Sequence, residues 1–346
     1  MRPLRNILYV TSEDAWLRKD GANVVVEVEG AERGRAPLHM LEGIVAFTRP
    51  GCSPALMAAC AEAGIALSFL TPEGRFLARV EGARSGNVLL RRTQHRAADD
   101  PVRCVPIVRG MVAAKAANQR TVLLRALRDH GVGMEESGRL ALEATAERLG
   151  HIARRTLAMA EVDALRGFEG EAAAAYFAVF NRLIRVDDPA LRFSGRSRRP
   201  PLDRINALLS FLYAMLGHDC RSAAEAHGLD PQVGFLHRDR PGRAGLALDL
   251  MEELRPVLAD RLALSLVNRR QVGATDFVVE EAGGVRLTDN ARRAVLVAWQ
   301  ERKREELRHP FFDEVVPLGL FASLQAQLLA RHLRGDLDGY PGFIWK

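Results

Sequence analysis

Three short segments carry the residue types that metal-assisted phosphate chemistry needs. In Arg166-Gly167-Phe168-Glu169-Gly170-Glu171, an acid is flanked by glycines inside a helical pattern. Each glycine costs about 1 kcal/mol against alanine there and lets another backbone or a ligand come close, so Glu169 is placed where its helix is approached. In Gly234-Phe235-Leu236-His237-Arg238-Asp239-Arg240, His237 closes an apolar run and opens a basic loop, which sets its imidazole at a mouth rather than in a core. In Leu248-Asp249-Leu250-Met251-Glu252-Glu253-Leu254, helical spacing puts Asp249 beside Glu252 and Glu253. Taken singly, each segment also reads as ordinary structure: an exposed acid near a helix start, a packed histidine, a solvated acidic face. Taken together, two or three carboxylates and one imidazole make a hard, oxygen-rich site for Mg²⁺ or Mn²⁺, the imidazole leaning toward Mn²⁺. Such an ion polarises a phosphodiester and lowers the pKa of a bound nucleophile.

The elements that must position these residues divide the chain in two. Residues 1–90 read as strands: Asn6 to Val10, Asn23 to Val28 behind an Asp20-Gly21 hairpin signal, Gly43 to Phe47, Ala66 to Leu70, and Phe76 to Val80. One helix interrupts them, with Ser53 as N-cap, Pro54 in its first turn and Gly64 as its stop. Residues 91–106, polar and bounded by proline, suit a linker. Residues 107–346 read as helical, with breaks at Asp187-Asp188-Pro189 and in an arginine-rich stretch that holds Arg192, Arg196, Arg198 and Arg199. The expected fold class is α+β, a small β-rich N-terminal domain before a larger all-helical one, and this order argues against a doubly wound sheet.

Bulk properties narrow the class further. A chain of 346 residues favours two domains. No apolar run approaches the roughly 18 residues that cross a bilayer, and residues 1–10 lack the apolar core of a signal peptide, so a cytoplasmic location is expected. Cys52, Cys60, Cys104 and Cys220 form no Cys-x-x-Cys pair, against a zinc ribbon or a disulfide framework. No Gly-rich phosphate loop follows a strand, so no nucleotide cofactor is expected. The net charge of +6 comes almost wholly from arginine; Lys19, Lys115, Lys303 and Lys346 are the lysines. A GC-rich genome accounts for most of that preference, and the charge excess points only weakly to a polyanion.

The three site segments, in this order, resemble the hallmark blocks of the CRISPR adaptation endonuclease/integrase, the Cas-one family. The third block extends through Arg255-Pro256, and two further blocks add to the likeness: Lys115-Ala116-Ala117-Asn118-Gln119 and the stretch from Pro200-Pro201-Leu202-Asp203 to Phe211. The tail, from Arg331-His332-Leu333 through Tyr340-Pro341 to Trp345, is similar to the subtype I-C branch. The resemblance spans both domains. It implies an N-terminal β domain that forms a homodimer, and a helical domain in which Glu169, His237 and Glu252 hold the metal with Asp249 as an additional acid. It also implies a partner, the small Cas-two protein, and capture of short double-stranded DNA for integration.

On that reading a 3′-hydroxyl, or water in hydrolysis, attacks a phosphodiester in line. The expected DNA contacts are Arg238, Arg240, Arg243 and Lys115, although for the three loop arginines a solvated loop is the competing reading. Which of Asp249, Glu252 and Glu253 ligates is open in the sequence. Two other functions also fit the residues. One is a nonenzymatic basic DNA-binding assembly protein, whose binding is salt-sensitive and needs no divalent metal. The other is a scaffold that docks a partner through Phe343-Ile344-Trp345 and has no affinity for DNA.

Overall fold

The computed structural model describes residues 6–72, 74–82, 88–281 and 283–345; the first five residues of the segment read as lacking a signal peptide, and Lys346, lie outside them. Two compact units emerge, one from the described residues of 1–85 with Leu287–Gln300, the other from those of 86–286 with Glu301 onward.

The first unit holds two four-stranded sheets. One joins β1 (Asn6–Val10), β5 (Leu41–Ala46), β7 (Ala66–Leu70) and β8 (Phe76–Arg79) in that order; the first three run parallel and β8 is antiparallel. The other runs β4 (Ala31–Pro37), β3 (Asn23–Val28), β2 (Trp16–Asp20), β6 (Gly51–Cys52). The Asp20-Gly21 signal yields a two-residue hairpin, with Asp20 opposite Asn23 and Gly21 at a φ of 57°. β4 has no apolar run to announce it: Glu32, Arg33 and Arg35 lie on an exposed edge, where charge also blocks pairing with another chain. The capping signals of α1 (Pro54–Ala63) form as read, Ser53 accepting from the Leu56 N–H and Gly64 closing the helix in the left-handed region. Leu17, Val24, Ile44, Leu56, Cys60 and Leu67 make the core of this unit.

The second unit is mostly helical. Its helices are α2 (Val88–Asp99), α3 (Pro101–His130), α4 (Glu136–Thr156), α5 (Val162–Val179), α6 (Arg204–Ala226), α7 (Gly245–Arg255) and α8 (Arg261–Asn268). Residues 91–99 and 101–106 are therefore helix, with Asp100 alone between them, not a linker. Their charge is the solvated face of α2, whose buried side is only Leu90, Gln94 and Ala97. Gln94 is structural: its amide donates to the carbonyls of Asp230 and Val233 and accepts from the Asp230 N–H. Asp100 caps α3, with Pro101 in its first turn. α7 runs into α8 through a π-helical turn, Pro256–Asp260.

The C-terminal half is not all helical. Short hairpins form from β9 (Phe277–Val279) with β10 (Val285–Leu287), and from β11 (Glu306–His309) with β12 (Glu314–Pro317). α9 (Asp289–Arg304) lies between them, and α10 (Phe321–Arg334) follows. The stretch Leu287–Gln300 groups with the N-terminal strands. The reason is local: Arg292, 1% exposed, reaches the carbonyls of Thr11 and Pro72 at 3.4 Å and stacks over Phe47. Fold class α+β holds, and the boundaries at 90 and 106 do not mark the compact units.

Candidate active site

The site assembles on three helices and one loop of the second unit. On α3, Lys115, Asn118 and Gln119 are three and four residues apart and share a buried face. Lys115, only 4% exposed, is not the surface DNA contact expected of it. Its ammonium donates to Glu169 of α5 and, at 2.5 Å, to Glu252 Oε2 of α7. Gly167 and Gly170, beside Glu169, have nothing within 4 Å of where a Cβ would stand, so no neighbour closes on the helix at those two positions; the glycines leave open space.

The tight glycines lie elsewhere. A Cβ at Gly234 would meet Asp249 Oδ2 at 2.8 Å, and one at Gly245 would meet the Gln232 carbonyl at 2.7 Å. This close approach brings the loop onto the start of α7. Asp249, fully buried, then accepts from three successive backbone N–H groups: Phe235 and Leu236 on Oδ2 at 2.6 and 3.0 Å, and His237 on Oδ1 at 3.0 Å. Its Oδ1 also lies 2.6 Å from His237 Nδ1. A carboxylate only accepts, so Nδ1 carries a proton, and in the neutral imidazole Nε2 is the nitrogen that keeps its lone pair. Arg166 Nε adds a bond to the Leu236 carbonyl at 2.6 Å.

One helical turn beyond Asp249, Glu252 projects on the same side and is 1% exposed. Its Oε1 is 2.6 Å from Arg255 Nη1 and 3.8 Å from His237 Nε2. Burial acts to raise its pKa, but the charges of Arg255 and Lys115, with the bond from Lys115, overcome this and hold it at about 2. Arg255 stacks on Tyr213, whose hydroxyl donates to Asp260 Oδ1 at 2.6 Å. Burial lifts the Asp260 carboxyl to about 6 despite that bond.

Glu253 points the other way. It accepts from the Tyr340 hydroxyl, the Phe343 N–H at 2.6 Å and Gln325 Nε2 at 3.2 Å, and burial raises its carboxyl to about 7. Nearby, Asn118 donates to the Glu253 and Phe343 carbonyls and accepts from the Trp345 N–H, while Arg125 and Arg261 stack on the Trp345 ring. Trp345 is 4% exposed and Phe343 1%, so these tail residues are core, not a free docking surface.

Around the mouth, Arg238 is exposed and pairs with Asp163 at 2.9 Å. Arg240 and Arg243 form no ion pair among the described residues. Burial first, and then the charges of Arg240, Arg198 and Arg199, hold the Arg243 guanidinium below its usual range. Clustered positive charge of this kind attracts polyanions.

The donor set fits a hard divalent cation. Two carboxylates from different helices already converge on one positive group, and an imidazole nitrogen with a free lone pair lies beside them. Among the described residues no three His, Cys, Asp or Glu side chains surround one point as they stand, and the Lys115 ammonium sits between the glutamates. Asp249 is not arranged as a ligand, since both its oxygens are spent on the loop. Sequence reasoning missed Arg166, Tyr213, Gly245 and Arg255. Only Arg255 had a signal, its place one turn beyond Glu252.

The family described as CRISPR associated protein Cas1 matches residues 8–301. The chain belongs to the Cas1 family. It is 59% identical, over the whole of both chains, to CRISPR-associated endonuclease Cas1 2 of Rhodospirillum rubrum, and 49% identical, again over both in full, to CRISPR-associated endonuclease Cas1 1 of Chlorobaculum tepidum. Among solved structures, a Cas1 protein from Thermotoga maritima superposes with a TM-score of 0.79 over 95% of this chain and 97% of its own, at 22% identity. A casposase bound to integration product gives 0.81 over 99% and 95%, at 19% identity. At such identities the last two matches speak for a shared Cas1 fold. No helix among the described residues is long and apolar enough to cross a membrane.

Proposed function

We propose that this chain is a divalent-metal-dependent DNA endonuclease and integrase of CRISPR adaptation, which captures short foreign duplexes and inserts them as new spacers. Membership of a family whose full-length relatives are named endonucleases supports the activity. The observation that carries the site is the convergence of Glu169 and Glu252 on one cationic position beside His237 Nε2.

Glu169, Glu252 and His237 would hold Mg²⁺ or Mn²⁺, which when bound supplies Lewis-acid polarisation of a phosphodiester and activation of the attacking oxygen. The nucleophile is a DNA 3′-hydroxyl in joining and water in hydrolysis. Asp249 is a positioning residue that fixes the His237 tautomer and ring. Arg255 keeps Glu252 ionised. Arg240 and Arg243, with Arg238 once it leaves Asp163, seat the flanking phosphates and hold the target in line for displacement.

A chain of the solved Cas6-RT-Cas1–Cas2 complex shares this fold over 36% of its length, at a TM-score of 0.81 and 23% identity. We extend the reading to a homodimer formed through the β-rich unit, to assembly with the small Cas2 protein, and, from the tail through Tyr340-Pro341 to Trp345, to the subtype I-C branch.

The test is a nicking and strand-transfer assay on a branched duplex with Mn²⁺, Mg²⁺ or chelator, with and without Cas2, for wild type and His237→Ala. Metal-dependent joining that vanishes in the variant while DNA binding persists is the expected result. Salt-sensitive binding without chemistry under every metal, partner included, would instead make this a nonenzymatic assembly protein.

A further inference from the structure

We propose that Lys115 is the resident counter-cation of the metal site, a side chain that a divalent ion displaces from Glu169 and Glu252 as it binds. The inference rests on the reading of Glu169, His237 and Glu252 as ligands.

Lysine is rarely buried unless paired, and Lys115 is paired twice, with carboxylates from two different helices. The other buried lysine among the described residues, Lys303, makes an ordinary pair with Asp219 at 2.8 Å. Charge explains the difference. Glu169 and Glu252 bring two negative charges to one place, and Arg255, on the far oxygen of Glu252, balances only one of them. The Lys115 ammonium balances the other, so the metal-free site is near neutral and folds without a buried, uncompensated charge. Lys115 occupies the one position where both carboxylates meet, so a divalent ion that takes both has to displace it.

The residue type suits that role. Basic residues in this chain are arginine almost everywhere else. An arginine fork would lock both carboxylates into a planar bidentate arrangement, whereas an ammonium on a four-carbon stem swings aside on rotatable bonds. Lys115 thus sets metal affinity from below: it stabilises the empty site and weakens the loaded one by the same interaction.

The experiment titrates Mn²⁺ calorimetrically into metal-stripped full-length protein, for wild type, Lys115→Met, Lys115→Gln and Glu252→Gln, with thermal melts in chelator alongside. Glutamine keeps one donor to the glutamates, so it holds the fold should methionine fail to. The expected result is Mn²⁺ binding at least tenfold tighter in the folded Lys115 variants, which melt lower than wild type in chelator and gain more from Mn²⁺. Unchanged or weaker Mn²⁺ affinity in those variants, with Glu252→Gln losing binding, overturns the inference and leaves the ligand reading standing. Glu252→Gln binding Mn²⁺ like wild type overturns both.

Discussion

Asp249→Asn separates a positioning role from a ligating one. In the wild type, four donors converge on this carboxylate: three backbone N–H groups and His237 Nδ1. An asparagine has one acceptor oxygen. If that oxygen takes the Phe235 and Leu236 N–H groups, its NH₂ faces His237, and Nδ1 can meet it only as an acceptor. The ring proton then moves to Nε2, the nitrogen that must keep its lone pair for a metal. Loss of such an orienting partner costs about 10–100-fold in metal affinity, or about 1.4–2.7 kcal/mol. The NH₂ also faces the His237 N–H, and one lost bond to a charged acceptor costs about 1.5–3 kcal/mol of stability. Calorimetric Mn²⁺ titration, thermal melts and strand transfer read the three effects, and Asp249→Glu, longer by a methylene, should rescue none. Wild-type Mn²⁺ affinity in Asp249→Asn would refute the tautomer argument. Loss of binding as complete as in Glu252→Gln would refute the positioning role and make Asp249 a ligand.

Neighbouring carboxylates should titrate in opposite senses in the metal-free protein. Glu252, lowered from the usual 4.5 to about 2, contributes stability that is present above 4.5 and lost as pH falls toward 2. Glu253, raised from 4.5 to about 7, contributes stability present below 4.5 and lost as pH rises through 7. Melts against pH in chelator should therefore be shallower on the acid side in Glu252→Gln and shallower toward pH 7 in Glu253→Gln, where Asp260 still contributes; unchanged slopes would contradict both assignments. Trp345→Ala should cost about 3–5 kcal/mol, as a buried aromatic does, and denaturant melts within 1 kcal/mol of wild type would show the tail to be peripheral. Arg240→Ala and Arg243→Ala should each lower the salt slope of DNA binding by about one and leave Mn²⁺ affinity unchanged; an intact slope would remove them from the phosphate path.

Legibility in the sequence followed how local the cause was. Ser53, Pro54 and Gly64 state the limits of α1 in the residues themselves, and Asp20-Gly21 states its hairpin. α2 was hidden because Arg91, Arg92, His95 and Arg96 make its face polar, while the residue that ties it down, Gln94, bonds to backbone 136 and 139 residues away. β11 and β12 are too short to show a period. At the site, residue types and helical spacing brought out Glu169, His237, Asp249 and Glu252. What each one does depended on partners distant in the chain: Lys115 for the two glutamates, the 235–237 backbone for Asp249, and Tyr340 and Phe343 for Glu253. Lys115 was misread as a DNA contact because a lysine gives no local sign of two carboxylates arriving from other helices.

The bonds made by Glu253 and Asn118 also impose an order in time. Lys115, Glu169, His237 and Glu252 are all synthesised before Phe343 and Trp345. Until those last residues arrive, Glu253 lacks a backbone donor and Asn118 lacks both its donor and one of its acceptors. A nascent chain halted short of residue 343 holds every residue that touches the metal position, and α3 and α7 still meet through Lys115–Glu252 and Asn118–Glu253, but the tail's bonds behind them are missing. The framework behind the metal position is thus completed by residues made long after those that touch it.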